Sequence, residues 1–192
     1  MSRPTTFDHD KVLDRAMLAF WTYGYASTSI DDLVKQTKLL RGSLYNTFGD
    51  KRALYIQTLK RYGQKSIGQT QSILNSSKPV AKKMRDLLMV IVDMTEAEKK
   101  RGSMLCSCIE EVVPHDSEVA GVVTDIVDEM KQVIETTLVN AQKAGELSPT
   151  TDPRGLTRYL ASSVQGLCIT AKAGAPRDEL MDIVNYTLVP FE

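Results

Sequence analysis

The sequence predicts an all-α protein of about nine helices. Apolar residues recur at intervals of three and four residues along nearly the whole chain, which is the spacing of one helix face. No segment shows sustained alternation of apolar and polar residues between turn signals, so no β-strand is expected. The composition, with 42% hydrophobic and 25% charged residues, is that of an ordinary globular protein.

Four helices are predicted before residue 75. Gly24 is placed to end the first helix as a C-cap, and Ser29 with Asp32 three residues later is typical of the capping box that begins a second helix. A third, short helix follows, and Asp50 is placed to cap the fourth. The first helix carries its apolar stripe at Val12, Leu13, Ala16 and Phe20, and the other three are expected at 30–37, 41–48 and 51 to about 74.

Five further helices are predicted after the polar loop at 75–79. The segment 80–95 is apolar on nearly every side, so it should be a central helix. Gly102 and Ser103 interrupt the pattern before a short helix that reaches Val113. The last three helices are expected to cover the apolar stripes at 119–141, 156–167 and 180–188.

Length and composition exclude several classes of protein. A chain of 192 residues is expected to form one domain or two small ones. The uncharged run at 159–171 is 13 residues long, well short of the roughly 20 apolar residues that a membrane-spanning helix needs. The first residues lead into charged side chains, and three cysteines do not make a disulfide framework. We therefore expect a cytoplasmic protein with no secretory signal and no membrane partner.

The charges are unevenly distributed although the formal net charge is zero. Residues 1–65 carry eleven Lys or Arg against six Asp or Glu, whereas residues 66–192 carry thirteen against eighteen. The first segment thus has a net charge of +5 and the second of −5. A basic end joined to an acidic body is typical of a protein that binds a polyanion, although a chance fluctuation is the alternative.

The stretch 27–51 predicts the function. Two short helices joined by a tight turn at 37–40, with a longer helix in front, are typical of a helix-turn-helix. The second helix is expected to pack on Leu44 and Phe48, which leaves a face with hydrogen-bond donors and no acidic side chain. A major groove admits one helix, and Arg and Asn suit guanine and adenine edges. We therefore expect double-stranded DNA to contact Arg41, Gly42, Ser43, Tyr45 and Asn46, with Gly42 allowing a close approach.

The segments 26–34 (ASTSIDDLV) and 41–51 (RGSLYNTFGDK) resemble the DNA-binding domain of the TetR family of bacterial transcriptional regulators. The resemblance covers residues 7–67 strongly and the spacing of the later helices weakly. It implies an all-α homodimer that binds an operator with its first three helices. The last two helices of each protomer would form a four-helix bundle with those of the partner. The expected organisation is a DNA-binding domain at 7–67, with the helix-turn-helix at about 30–49, and an effector-binding and dimerisation domain at 68–192.

The resemblance also implies the DNA contacts residue by residue. On the third helix, Tyr45 would contact phosphate as much as a base, and a packing role is its alternative. Ser27, Thr28 and Ser29 would contact phosphate through hydroxyls and free N–H groups, although Thr28 and Ser29 are equally placed as helix caps. Lys51 would contact the DNA backbone from the start of the fourth helix.

Two residues of the turn depart from the family pattern. Lys38 stands where these regulators usually have Gly, and Leu40 where they usually have a Ser or Thr N-cap. A non-glycine residue in the left-handed region costs roughly 1 kcal/mol, and the loss of a cap costs about as much. Either the turn is built differently, or the recognition helix is less stable until DNA orders it.

Residues 103–115 carry side chains with metal-binding or reactive chemistry, but no metal site, cofactor or catalytic activity is expected. Residues two apart on a helix point about 200° apart, so Cys106 and Cys108 cannot hold one ion together. The sensing cysteine of some family members corresponds here to Ser103, so that mechanism does not carry over. We expect buried thiols that act as small apolar groups and surface carboxylates. The candidate metal cluster consists of Cys106, Cys108, Glu110, Glu111 and His115.

The later helices predict a dimer and an effector site. Small residues at 162, 163, 166 and 171 let helices approach closely, so 156–171 and 180–188 are expected to form a two-fold interface; ordinary core is the alternative. Methionines cluster around 80–95, and methionine adapts its shape to irregular apolar ligands; here too, ordinary core is the alternative. We expect a small, mostly apolar effector to contact Met89, Met104, Cys108 and Met130.

The sequence thus favours a ligand-responsive repressor that binds a near-palindromic operator as a dimer. An all-α interaction module whose basic end binds an acidic protein is the alternative. Steep salt dependence and preference for one duplex sequence would distinguish DNA binding from that alternative. A small α-helical enzyme that uses a buried thiol would need a base beside a cysteine, and the sequence offers none.

Overall fold

The computed structural model describes residues 7–191, and within that range the chain forms ten α-helices, two short 3-10 helices and no strand. The prediction of an all-α fold is confirmed. The N-terminal stretch 1–6, on which the expectation of no secretory signal rests, lies outside the described residues, as does Glu192. The α-helices are α1 His9–Tyr23, α2 Ile30–Thr37, α3 Arg41–Phe48, α4 Lys51–Leu74, α5 Val80–Val92, α6 Glu96–Arg101, α7 Met104–Glu111, α8 Ser117–Lys143, α9 Pro153–Lys172 and α10 Arg177–Leu188.

The sequence predicts nine of these ten α-helices and does not predict α6, because its sequence EAEKKR has no apolar stripe. Its start is defined instead by a capping box, in which the Thr95 hydroxyl accepts a hydrogen bond from the Glu98 N–H and the Glu98 side chain accepts one from the Thr95 N–H. The helix predicted at 80–95 therefore ends at Val92, and Thr95 caps the next one.

The first hydrophobic core lies among α1 to α4. Phe20, Leu33, Leu44 and Phe48 are each at most 2% exposed, so the apolar faces of α1, α2 and α3 pack against one another. This core continues beyond residue 67, because residues of α7 and the first half of α8 pack into it. The part of the chain after residue 67 thus supplies part of the core that supports the helix-turn-helix. The later members are Met104, Leu105, Cys108, Val112, Val119, Val123 and Ile126.

Helix α4 packs extensively against α8. A Cβ at Gly63 would lie 2.7 Å from the Cγ1 of Ile126, so the two helices approach too closely there for any side chain at Gly63. This crossing holds α4 against the first half of α8.

The second hydrophobic core is formed by α5, the end of α8, α9 and α10. Met84, Leu138, Leu160 and Leu180 are each at most 1% exposed at its centre. The central position expected for the helix beginning at residue 80 is confirmed for its Met84, Leu88 and Val92 face. In the part of the chain that the structure describes, no helix is long and apolar enough to cross a bilayer.

Candidate nucleic-acid interface and effector cavity

The turn between α2 and α3 keeps a left-handed residue without glycine. Lys38 has φ 60° and ψ 23°, and its N–H donates to the carbonyl of Val34 at 2.9 Å. Leu40 is in the extended N-cap position of α3, where it is 78% exposed and makes no side-chain cap bond. Both departures from the family pattern are therefore real, and no side-chain hydroxyl caps the recognition helix.

The recognition helix α3 is anchored on one side and exposed on the other. Leu44 and Phe48 are each 2% exposed and belong to the first core. Tyr45 is 39% exposed, which excludes a fully buried packing role in this structure. A Cβ at Gly42 would meet no heavy atom within 4 Å, so packing within the protomer does not require glycine there. Arg41 and Asn46 are exposed, and Ser43 is half-buried.

Arg41 has a partner that the sequence did not reveal. Its Nη2 lies 2.8 Å from the Oδ1 of Asp31 on α2, and both side chains are largely exposed. The guanidinium is thus held beside a carboxylate at the edge of the predicted DNA-binding face. A contact with a base or a phosphate would compete with this exposed ion pair.

The residues before α2 serve as helix caps. The Thr28 hydroxyl donates to the carbonyl of Gly24 at 2.6 Å, and Thr28 is 0% exposed. The predicted phosphate contact through Thr28 is therefore wrong for this conformation, because its hydroxyl is buried and already bonded. Ser29 forms the predicted capping box with Asp32, whereas Ser27 is exposed.

Lys51, at the start of α4, lies over the loop that precedes α2. Its Nζ is 4.6 Å from the centre of the Tyr25 ring and 3.4 Å from the carbonyl oxygen of Ala26. Burial lowers the pKa of Lys51, and the nearby Glu111 carboxylate opposes that shift. The lysine therefore packs on the loop that precedes α2.

Glu111 is not the surface carboxylate that the sequence suggested. Its Oε2 accepts the backbone N–H of Tyr25 at 2.9 Å, and its Oε1 accepts that of Ala26 at 2.7 Å. The side chain joins the end of α7 to the loop between α1 and α2. No local pattern signals this contact, because its partners are 85 and 86 residues away.

A cavity of about 190 Å³ lies among α4, α5, α7, α8 and α9. Of the four predicted effector contacts, Met130 lines it, whereas Met89, Met104 and Cys108 do not. Met104 and Cys108 point into the first core, where they are 2% and 0% exposed. Met89 packs on the second core, whereas α5 lines the cavity with Leu87, Val90 and Ile91, and Met94 lines it from just beyond the end of that helix.

The cavity wall combines apolar side chains with neutral polar groups. Tyr62, Ser66 and Gln69 of α4 line it, and burial raises the pKa of Tyr62. Lys131 is its one charged lining residue among those the structure describes, and no carboxylate lines it. The lining suits a small ligand with an apolar part and a hydrogen-bonding end.

Two thiols also line this cavity. Cys106 of α7 and Cys168 of α9 contribute to the wall, whereas Cys108, two residues from Cys106, faces the other way as predicted. Burial and the neighbouring Cys106 raise the pKa of Cys168 to about 12. Between residues 7 and 191, no three His, Cys, Asp or Glu side chains are grouped as a metal ion would require.

Comparison with known proteins identifies relatives over the whole chain. The profile of the family described as "Bacterial regulatory proteins, tetR family" matches residues 12–58. The uncharacterized HTH-type transcriptional regulator YezE of Bacillus subtilis is 32% identical over 98% of each chain. The HTH-type transcriptional repressor ComR of Escherichia coli is 29% identical over 97% of this chain and 90% of its own length.

A solved structure shares the fold over its full length. It is a cysteine-substituted form of the TetR family transcriptional regulator CifR in complex with a 26-base-pair double-strand operator DNA. The TM-score is 0.87 at 25% sequence identity, and the match covers 100% of both chains. The arrangement of the ten helices is therefore one that is found in a DNA-bound regulator.

Proposed function

Because the chain belongs to the TetR family of bacterial regulatory proteins and is a transcriptional regulator rather than an enzyme, we propose that it is a ligand-responsive repressor. In this proposal, it binds a near-palindromic operator as a two-fold dimer, and a small, mostly apolar effector releases it. The observation that carries the proposal is the exposed face of α3 opposite its buried anchors Leu44 and Phe48.

DNA binding is proposed for the exposed face of α3. Arg41, Tyr45 and Asn46 offer donors there, and Gly42 leaves room for the DNA backbone. Ser27 and Lys51 flank this face, and hydroxyls and lysines are suited to phosphate contacts. Thr28 supports α2 from within, because its hydroxyl is bonded to Gly24.

A dimer is supported by an apolar face of α9 and α10 that one protomer leaves exposed. Tyr159 and Ile169 are 45% and 50% exposed on α9, and Tyr186 is 76% exposed on α10. A Cβ at Gly166 would meet no heavy atom within 4 Å, so that glycine is not needed by the protomer itself. Ala171, by contrast, is 3% exposed and belongs to the second core, which removes it from the predicted interface.

Two-fold pairing of this face would set the spacing of the two α3 helices. Dimeric helix-turn-helix proteins bind half-sites about one DNA turn apart or a multiple of it, so their operators repeat the symmetry of the protein. A near-palindromic operator follows from the dimer.

The effector is proposed to occupy the cavity of about 190 Å³. Because α4 lines it and also begins at the DNA-binding end, a ligand that favours one position of α4 would change the separation of the two recognition helices. Couplings of this kind are typically about 1–3 kcal/mol, limited by the difference in ligand affinity between the two states.

Enrichment of duplexes from a random pool by the full chain tests the proposal directly. We expect one enriched sequence with two-fold symmetry, bound by two chains and weakened steeply by salt. Compounds that raise the melting temperature are then added to the protein–duplex complex, and we expect at least one to lower duplex affinity. Enrichment of no sequence would contradict DNA binding, whereas stabilising compounds that leave affinity unchanged would contradict the effector alone.

A further inference from the structure

We propose that Glu111, which lies in the effector domain, is a positioning residue for DNA binding. Its carboxylate fixes the loop between α1 and α2 and thereby the orientation in which α2 and α3 meet the duplex. The inference rests on the DNA binding proposed above and adds a residue far from the DNA-binding face.

The carboxylate holds two successive backbone amides. Tyr25 donates to Oε2 at 2.9 Å and Ala26 to Oε1 at 2.7 Å, so each oxygen has its own donor. Both amides lie between the end of α1 at Tyr23 and the start of α2 at Ile30. Hydrogen bonds to a charged acceptor are stronger than those between neutral groups, so Glu111 restrains the loop more firmly than a carbonyl would.

The loop transmits this restraint to α2 over a short distance. The Thr28 hydroxyl bonds back to the carbonyl of Gly24 at 2.6 Å, which makes residues 24–28 one closed turn. Ser29 then caps α2 directly. The three residues between Ala26 and the first turn of α2 include Ser27, the exposed residue proposed to contact phosphate.

Gly24 shows that the loop is shaped around the carboxylate. Its φ is +83°, and a Cβ there would lie 3.0 Å from Oε2 of Glu111. A side chain at residue 24 would therefore be strained by the backbone and would press on the acceptor.

The helix that carries Glu111 also borders the effector cavity. Cys106 of α7 lines the cavity wall, and five residues along a helix correspond to about 7.5 Å. Two residues before the start of α7, the carbonyl of Gly102 accepts a hydrogen bond from the indole N–H of Trp21 at 2.8 Å. Residues of the first three helices and their loops thus bind the last residue of α7 and a residue just before its start. A displacement of α7 by a cavity ligand would therefore move the Glu111 carboxylate relative to its loop.

The test compares Glu111→Gln with Glu110→Gln. The neighbouring Glu110 is exposed, so the two variants lose the same charge at nearly the same place, but only one loses a carboxylate that binds the loop. Removing a negative charge should by itself strengthen binding to DNA. Loss of positioning should instead weaken it, so the two explanations predict effects of opposite sign for Glu111→Gln.

We expect Glu111→Gln to bind the enriched duplex about tenfold more weakly than the parent and to exchange the Tyr25 and Ala26 amide hydrogens about tenfold faster. Glu110→Gln should bind as tightly as the parent or more tightly, with unchanged exchange at both amides. Glu111→Asp keeps the charge on a side chain one methylene shorter. It should also weaken duplex binding, which keeps the test usable if Glu111→Gln does not fold.

The outcomes separate this inference from the function on which it rests. If the parent and Glu110→Gln bind a preferred duplex and the Glu111 variants bind it equally well, the positioning role is overturned and the proposed function stands. Unchanged amide exchange in both Glu111 variants would also overturn it. If neither the parent nor Glu110→Gln prefers any duplex, the proposed function fails and this inference with it.

Discussion

Arg52 and Asp116 form an ion pair through two hydrogen bonds between the first turn of α4 and the N-cap of α8. The Nε and Nη2 atoms of Arg52 lie 2.6 and 2.8 Å from the two carboxylate oxygens. The same carboxylate accepts the N–H groups of Glu118 and Val119 at 3.1 and 3.0 Å. One side chain therefore caps α8 and binds α4, the helix that follows the helix-turn-helix.

Asp116→Asn should lower stability although it preserves the cap. Asparagine caps helices about as well as aspartate, so the variant removes mainly the charge that faces Arg52. We expect a lower urea midpoint than for the parent, with far-ultraviolet circular dichroism unchanged. The matched control is Asp128→Asn, which removes an exposed pair with Lys131 and should change the free energy of unfolding by less than about 0.5 kcal/mol. Equal midpoints for the two variants would contradict a structural role for the Arg52 pair.

Stability should fall steeply at acid pH because several carboxylates have lowered pKa values, two of them to about 2. Hydrogen bonds from Arg61 lower the pKa of Asp14 to about 2, and those from Arg52 lower that of Asp116 to about 2. A lowered folded-state pKa contributes stability that is fully present above the ordinary value near 3.8 and is lost as pH falls towards 2.

Urea unfolding between pH 6 and pH 2 measures this loss. The parent should lose stability mainly below pH 4, and Asp14→Asn should show a shallower decline because it lacks one of the two carboxylates whose pKa is lowered to about 2. Parallel curves for parent and variant would contradict the lowered pKa of Asp14.

Asp31→Asn should strengthen DNA binding. The substitution frees Arg41 from its exposed partner at 2.8 Å and removes a negative charge at the edge of the proposed DNA-binding face. Affinity for the enriched duplex should rise, whereas Arg41→Ala should lower it by about 1–3 kcal/mol and relax specificity at one base position if the arginine reads a base. Fluorescence anisotropy at fixed salt measures both. If Arg41→Ala leaves affinity and specificity unchanged, the groove assignment of α3 is wrong.

The sequence predicts the helices well because each long helix buries one face. The stripe of Leu44 and Phe48 and the caps at Ser29 and Asp50 are local signals, so α2, α3 and α4 begin at the expected residues. The six-residue α6 lacks an apolar face, so only its capping box marks it.

The functional residues are harder to predict, because the direction of a side chain depends on helix register. Methionine content indicated an adaptable lining, but α5 lines the cavity with Leu87, Val90 and Ile91 and does not bring Met89 to its wall. Helix register on α7 likewise separates Cys106, which lines the cavity, from Cys108, which lies in the first core. The role of Glu111 depends on a contact across 85 residues, and no pattern in one sequence signals such a contact.

Gly166→Leu should dissociate the proposed dimer without unfolding the protomer. Within the protomer, a Cβ at this position meets nothing within 4 Å, so the larger side chain fits the isolated chain. In a close helix-helix interface it would force the two copies apart. Gly121→Leu is the matched control, since it is also a helical glycine with open space around it. Sedimentation at micromolar concentration should show a monomer for Gly166→Leu and a dimer for Gly121→Leu. A dimeric Gly166→Leu protein would place the interface elsewhere.

Leu40→Ser should stabilise the protein by supplying the cap that α3 lacks. Leu40 has φ −65° and ψ 148°, the extended backbone of an N-cap, and makes no side-chain cap bond. Because it is 78% exposed, its removal sacrifices little buried area. A serine hydroxyl there can accept an N–H from the first turn of α3, which is worth about 1 kcal/mol. Leu40→Ala loses the same side chain without adding an acceptor, so the difference in urea unfolding between the two variants isolates the cap. Equal stabilities would show that the first turn of α3 does not adopt the geometry that a cap requires.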